Sequence, residues 1–127
     1  RSVLDSPVAF TVMVRNEMFR RVLLLDRDDY ETLGSLDSAS GMTADRWADA
    51  AAGYWDEYSS INTGPAARGP GLFVVEHRPQ DWLVRQIIDD PDGEHGWSIT
   101  ARVDLAASAE RGEAVLLVDG FAQSGTL

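Results

Sequence analysis

Residues 81–105 read DWLVRQIIDDPDGEHGWSITARVDL. Two apolar runs flank an acidic centre that holds Asp89, Asp90, Asp92, Glu94 and His95. In the second run Trp97, Ile99, Ala101, Val103 and Leu105 alternate with Ser98, Thr100, Arg102 and Asp104. Side chains of a strand point to opposite faces in turn, so this period of two predicts a half-buried antiparallel strand. The centre then reads as the turn between two strands. Pro91 suits a corner, and Gly93 can take the positive φ that a tight turn requires.

The same stretch also invites comparison with a cation loop. A calcium-binding helix–loop–helix motif needs oxygen ligands at its first, third and fifth positions, glycine at the sixth and glutamate at the twelfth. Placing Gly93 sixth puts Asp90 and Asp92 correctly but puts Ile88 first and Ile99 last. Both ends fail, which leaves a turn or at most a weak cation contact. His77 and His95 are the only histidines and neither has a histidine neighbour, so no imidazole metal site is expected. His95 beside Asp92 and Glu94 could form an acid–base pair, against the simpler reading of an exposed loop histidine.

Outward from the turn, the chain divides into a helical half over 6–61, a loop over 62–71, an antiparallel sheet over 72–119 and a tail over 120–127. Ser6 and Pro7 suit the start of a helix, since proline at the first helical position gives up an N–H that has no partner there. Phe10, Val14, Met18, Val22 and Leu25 recur at helical spacing. Val12, Phe19 and Leu23 widen that stripe, which predicts burial on more than one side. Arg15, Arg20, Arg21 and Arg27 cover the remainder.

The acidic DRDD segment can cap a second, shorter helix bearing Tyr30, Leu33 and Leu36. After the break at SASGM, Thr43 caps a third, with Asp45 in its first turn. Its apolar face carries Trp47, Ala51, Tyr54, Tyr58 and Ile61, broadened by Trp55, and the small residues from Ala50 to Gly53 allow close approach by another element. NTGPAARGPG, residues 62–71, cannot continue a helix. Then LFVVEHR, DWLVRQII, WSITARVDL and AVLLVDGF supply a four-stranded meander. The last run, more continuously apolar, is expected inside the sheet.

Composition narrows the chemistry. The chain has 127 residues, enough for one domain, which buries roughly two-thirds of its unfolded surface without staples. It has no cysteine, which removes disulfides, thiolate metal sites and thiol catalysis, and suits a reducing cytoplasm. No apolar run approaches the roughly 18 residues of a membrane span. Net charge is −10, and every basic residue is arginine. Nucleic-acid affinity comes chiefly from clustered cations that displace counterions. Direct RNA contact would therefore need Arg15, Arg20, Arg21 and Arg27 on one patch. GPAARGPG lacks the spacing of a phosphate loop and follows a helix rather than a strand, and no nucleophile elbow occurs. No catalytic residue and no cofactor is expected.

One further constellation is the aromatic one. Trp47, Tyr54, Tyr58, Trp82 and Trp97, with Asp56 or His95, could line a pocket over the sheet that binds or isomerises a small apolar ligand. Rings at this spacing more often pack the helix onto the sheet.

FTVMVRNEMFRRVLLL, GYWDEYSSINTGPAARGPGLF and WLVRQIIDDPDGEHGWSITARVDLAAS together resemble a domain of unknown function at the C-terminal end of actinobacterial DEAD/DEAH-box helicases. The likeness runs from about Pro7 to Val118. In that family the turn commonly reads Asp-Asp-Pro-x-Gly-Asp-His; here Glu94 replaces the later aspartate and keeps its charge. The resemblance implies an ATP-dependent helicase core ahead of Arg1, so that this chain is the C-terminal segment of a longer one. Its partner would be that core or another protein, with RNA reached only through the parent. No phosphate loop and no Asp-Glu-x-Asp/His stands in this segment, and the resemblance carries no catalytic residue onto it. The expected fold is α+β, about three N-terminal helices on one face of a four-stranded antiparallel meander. The order is similar to a nuclear-transport-factor-2-like cone, although the strand usual there between the second and third helices is missing.

Overall fold

A computed structural model describes residues 1–124. Four strands form one antiparallel sheet in the order of the chain: β1 (Phe73–His77), β2 (Asp81–Ile87), β3 (Trp97–Asp104) and β4 (Leu116–Gln123). Register follows the alternation of the sequence. Trp82 faces Val103, Val84 faces Ala101 and Gln86 faces Ile99, so the inner side chains of β2 and β3 stand in matched rows. The outer face carries Leu83, Arg85, Thr100 and Arg102, each partly exposed. Between β3 and β4 the register shifts at Thr100/Ala101, so that Asp119 is the extra residue of a bulge.

Helices α1 (Pro7–Asp26), α2 (Tyr30–Asp37) and α3 (Ala44–Glu57) precede the sheet. Each begins where a side-chain oxygen can take a free amide. Ser6 accepts from Ala9, Asp29 from Thr32 and Thr43 from Arg46. α1 and α3 cover the inner face. The Phe10 ring meets Trp82 edge-on with centroids 5.1 Å apart, and Tyr54 meets Trp97 at 5.8 Å. Two glycines permit close approach. A Cβ on Gly34 would lie 2.6 Å from the Ala44 backbone nitrogen, where α2 crosses α3, and one on Gly53 would lie 2.9 Å from the Trp97 ring.

Several expectations need correction. α3 ends at Glu57 rather than near residue 61, with Tyr58 extended at its C-cap. A fourth helix, α4 (Leu105–Arg111), joins β3 to β4. Asp104 caps it, Gly112 ends it at φ 71°, and the buried Ser108 hydroxyl accepts the Val115 amide at 2.9 Å. Leu105 thus opens a helix instead of closing a strand. β4 runs through Gln123, so the tail cannot start at 120, and residues 125–127 of that tail lie outside the described residues. β4 is also an edge strand and not an interior one. Its apolar run reflects Val118 and Phe121 buried under α3. On α1, Phe19 is buried as the wide stripe predicts, but Val12 and Leu23 are exposed. No described helix is long and apolar enough to cross a membrane.

Candidate functional site

The acidic stretch after β2 is a turn with one organising side chain. Asp90 is buried, and its carboxylate accepts backbone N–H groups from Asp92 and Glu94, each at 3.0 Å, and from His95 at 2.7 Å. Burial by itself would push this carboxyl up. The amides of Glu94, His95 and Asp92 outweigh it and hold Asp90 below the ordinary aspartate range. The same bonds hold Gly93 at φ 68° and His95 at φ 56°, the latter a left-handed conformation that a residue with a Cβ rarely takes. With three amides already on it, Asp90 has little acceptor capacity to offer a cation.

The rest of the turn is tied to its neighbours. His95 Nε2 lies 2.9 Å from Asp89 Oδ1 at the surface, so the histidine pairs with Asp89 rather than with Asp92 or Glu94. The Asp89 carbonyl accepts the Asn62 amide at 2.9 Å. The Tyr58 hydroxyl donates to Glu94, and this bond raises the phenol above its ordinary value. Tyr54 donates to the Ser60 carbonyl at 2.7 Å; burial first, then the nearby Asp90 and Asp89 carboxylates, raise it as well. Both phenols remain protonated at neutral pH, so neither serves as a base there.

Of the aromatic set, Trp47, Tyr54, Tyr58, Trp82 and Trp97 are all buried. Tyr54 touches Tyr58 at 5.0 Å and Phe121 at 6.0 Å, while Phe121 touches Trp97 at 5.3 Å and Trp47 at 6.5 Å. Trp47, Tyr54 and Trp97 thus meet at Phe121, and Tyr58 joins them through Tyr54. Trp82 sits apart from them, against Phe10 and His77. Asp56 is exposed on α3 and does not join the rings. The indole N–H groups of Trp47 and Trp97 are buried without a hydrogen-bond partner among the described residues.

The four arginines do not form a patch. Arg21 is 4% exposed and grips Asp37 with two bonds, of 3.0 and 2.7 Å, while a third nitrogen takes the Glu17 carbonyl at 2.9 Å. The expectation of Arg21 on a polar surface is therefore wrong: its guanidinium ties α1 to the end of α2. Arg20 pairs weakly with Glu17 at 3.8 Å, and Arg27 is the exposed C-cap of α1. Arg15 lies over the Phe73 ring and donates to the Arg68 carbonyl at 2.7 Å. Helical rotation of about 100° per residue turns Arg15 and Arg21 away from each other and from Arg20, and only Arg27 falls near the direction of Arg20, two turns further on.

Residues 1–120 match the family described as a domain of unknown function, DUF3516. The chain belongs to this family. Comparison with curated proteins and with solved structures gave no match. Within the family member, one feature that sequence reading missed is the role of Arg68. It comes from the Gly/Pro-rich connection, lies over the Phe19 ring with its guanidinium carbon 4.6 Å from the centroid, and donates to Asn16 at 2.7 Å. Arg68 thus pins the connection onto α1 across 52 residues of sequence. Its position in GPAARGPG gave no local signal of that contact.

Proposed function

We propose that this domain is a non-catalytic accessory or regulatory module at the C-terminus of an ATP-dependent DEAD/DEAH-box helicase, docking on the helicase core of its own chain or recruiting a protein partner. One observation carries the non-catalytic part: the side chains best suited to chemistry are already engaged in the fold. Asp90 is saturated by three amides, Tyr54 and Tyr58 each donate to a fixed acceptor, and Arg21 is locked on Asp37. A residue committed in this way to the resting structure must give up a hydrogen bond of the fold before it can exchange a proton with a substrate. The helicase context rests on the long sequence resemblance around the same turn.

The rings that a small-molecule or isomerase-like pocket would need as walls are instead packed against each other or, for Trp82, against Phe10 and His77, which favours docking over binding in the core. Direct RNA contact lacks its patch, so RNA is reached through the parent helicase. The test compares the full natural polypeptide with a version lacking residues 1–127. The full polypeptide should hydrolyse ATP with nucleic-acid stimulation, and removing the domain should change the stimulation while leaving nucleotide binding intact. Absence of ATP hydrolysis in the full polypeptide, or turnover of a metabolite by the domain alone, would refute the proposal.

A further inference from the structure

Building on the docking reading, we infer that the outer face of α1 binds an acidic amphipathic segment of a partner polypeptide. Val8 is 79% exposed, Val12 50% and Leu23 39%, the three most apolar surface positions of α1. At about 100° per residue, Val8, Val12, Arg15, Phe19 and Leu23 fall within roughly 80° around the axis, and Val8 to Leu23 spans about 22 Å. They make one strip on a helix whose opposite side is core.

Two cations are fixed on that strip. Arg15 is held over Phe73, and Arg68 over Phe19. Arg15 also donates to the Arg68 carbonyl, which brings the two residues side by side. A guanidinium carries five donors, and the protein acceptors found for these two are the Arg68 carbonyl and Asn16 Oδ1. Neither forms a salt bridge among the described residues, in a chain with net charge −10. Asp26 stands at the far end of the strip, one turn beyond Leu23.

Charge selects the occupant. Carboxylates fit two pre-oriented guanidinium forks, while apolar side chains at helical spacing fit the valines and leucine. A nucleic-acid backbone would use the arginines and leave the apolar strip uncovered. A second copy facing α1 with α1 would bring like guanidiniums together.

The experiment uses the natural full-length polypeptide in its own cells, with p-benzoylphenylalanine replacing Val12 or, in parallel, Leu83 on the outer sheet face. Crosslinked peptides are sequenced after illumination. At Val12 the expected product is a peptide of net negative charge with apolar residues at intervals of three and four. Its yield should fall by about tenfold when Arg15→Glu and Arg68→Glu are combined. Arg15→Gln, which preserves the helix surface, should give a smaller fall in the same direction. A neutral or basic peptide, RNA, a second copy of the chain, or no product at Val12 overturns the inference, as does a yield indifferent to both charge changes. Helicase peptides crosslinked from Leu83 alone would reject the α1 strip and leave the accessory reading standing. An acidic segment caught at Val12 of a natural polypeptide that hydrolyses no ATP would do the reverse.

Discussion

Replacing Asp90 with alanine removes the acceptor of three backbone N–H groups at once. Hydrogen bonds to a charged group contribute roughly 1.5–3 kcal/mol each when their partner is lost in a buried setting. Pro91 to His95 are exposed, so water recovers part of that loss. A net cost of about 3 kcal/mol follows, which for a domain of this size lowers Tm by roughly 10 °C. Asp90→Asn should lie between the two. Its carbonyl can still serve the amides of Asp92 and Glu94, but its NH2 group would face the His95 amide, leaving a loss of about half as much.

Urea unfolding followed by tryptophan fluorescence measures both variants. The pH dependence supplies a second reading. The folded Asp90 carboxyl titrates below its unfolded value of about 3.9, so the unfolded chain binds more protons in that range. The stabilisation is therefore complete above about pH 4–5 and disappears as pH falls through the folded value. Asp90→Asn should flatten that acid limb. A cost below about 0.5 kcal/mol for Asp90→Ala, the range of an ordinary surface change, would refute the view that this carboxylate organises the turn.

Breaking the buried Arg21–Asp37 pair with Arg21→Ala should cost about 3–5 kcal/mol, because it strands the Asp37 charge, whereas Arg21→Met combined with Asp37→Leu should recover most of that; chemical unfolding of the single and double variants checks it. Gly34→Ala should destabilise by about 2 kcal/mol, because its Cβ would meet the Ala44 backbone and α2 must move. Gly64→Ala, with nothing within 4 Å of the added carbon, should be neutral or slightly stabilising, and scanning calorimetry of the two glycine variants checks both.

Much of the fold was legible because local rules and packing agree. The stripe from Phe10 to Leu25 and the alternation from Trp97 to Val103 each state a face that is buried as stated, and the Thr43 cap states where α3 begins. What escaped depends on contacts distant in sequence. Arg21 looks polar by residue type, and only Asp37, brought in by α2, makes it an interior residue. Phe19 is covered by Arg68 from another part of the chain, while Val12 and Leu23 on the same face have no such cover. α4 is a different case. Asp104 followed by a small-residue run and Gly112 is a legible cap-to-stop signal, but the regular alternation of β3 carried the strand reading one residue past it. At the acidic loop, Pro91 and Gly93 announced the turn, whereas the choice of Asp90 as acceptor depends on a backbone path that residue types do not specify.

Docking by the surface, rather than chemistry in the core, is the property on which the proposed role of the domain depends. Heteronuclear NMR of the labelled domain, titrated with the separately expressed helicase core of its natural polypeptide, measures that directly. Shifts confined to α1 around Val8, Val12, Arg15 and Leu23 and to Arg68, with the Trp47 and Trp97 indole signals unmoved, are predicted. Saturable movement of the Trp47, Tyr54 and Trp97 signals on adding a small metabolite, with α1 silent towards the helicase core, would contradict it.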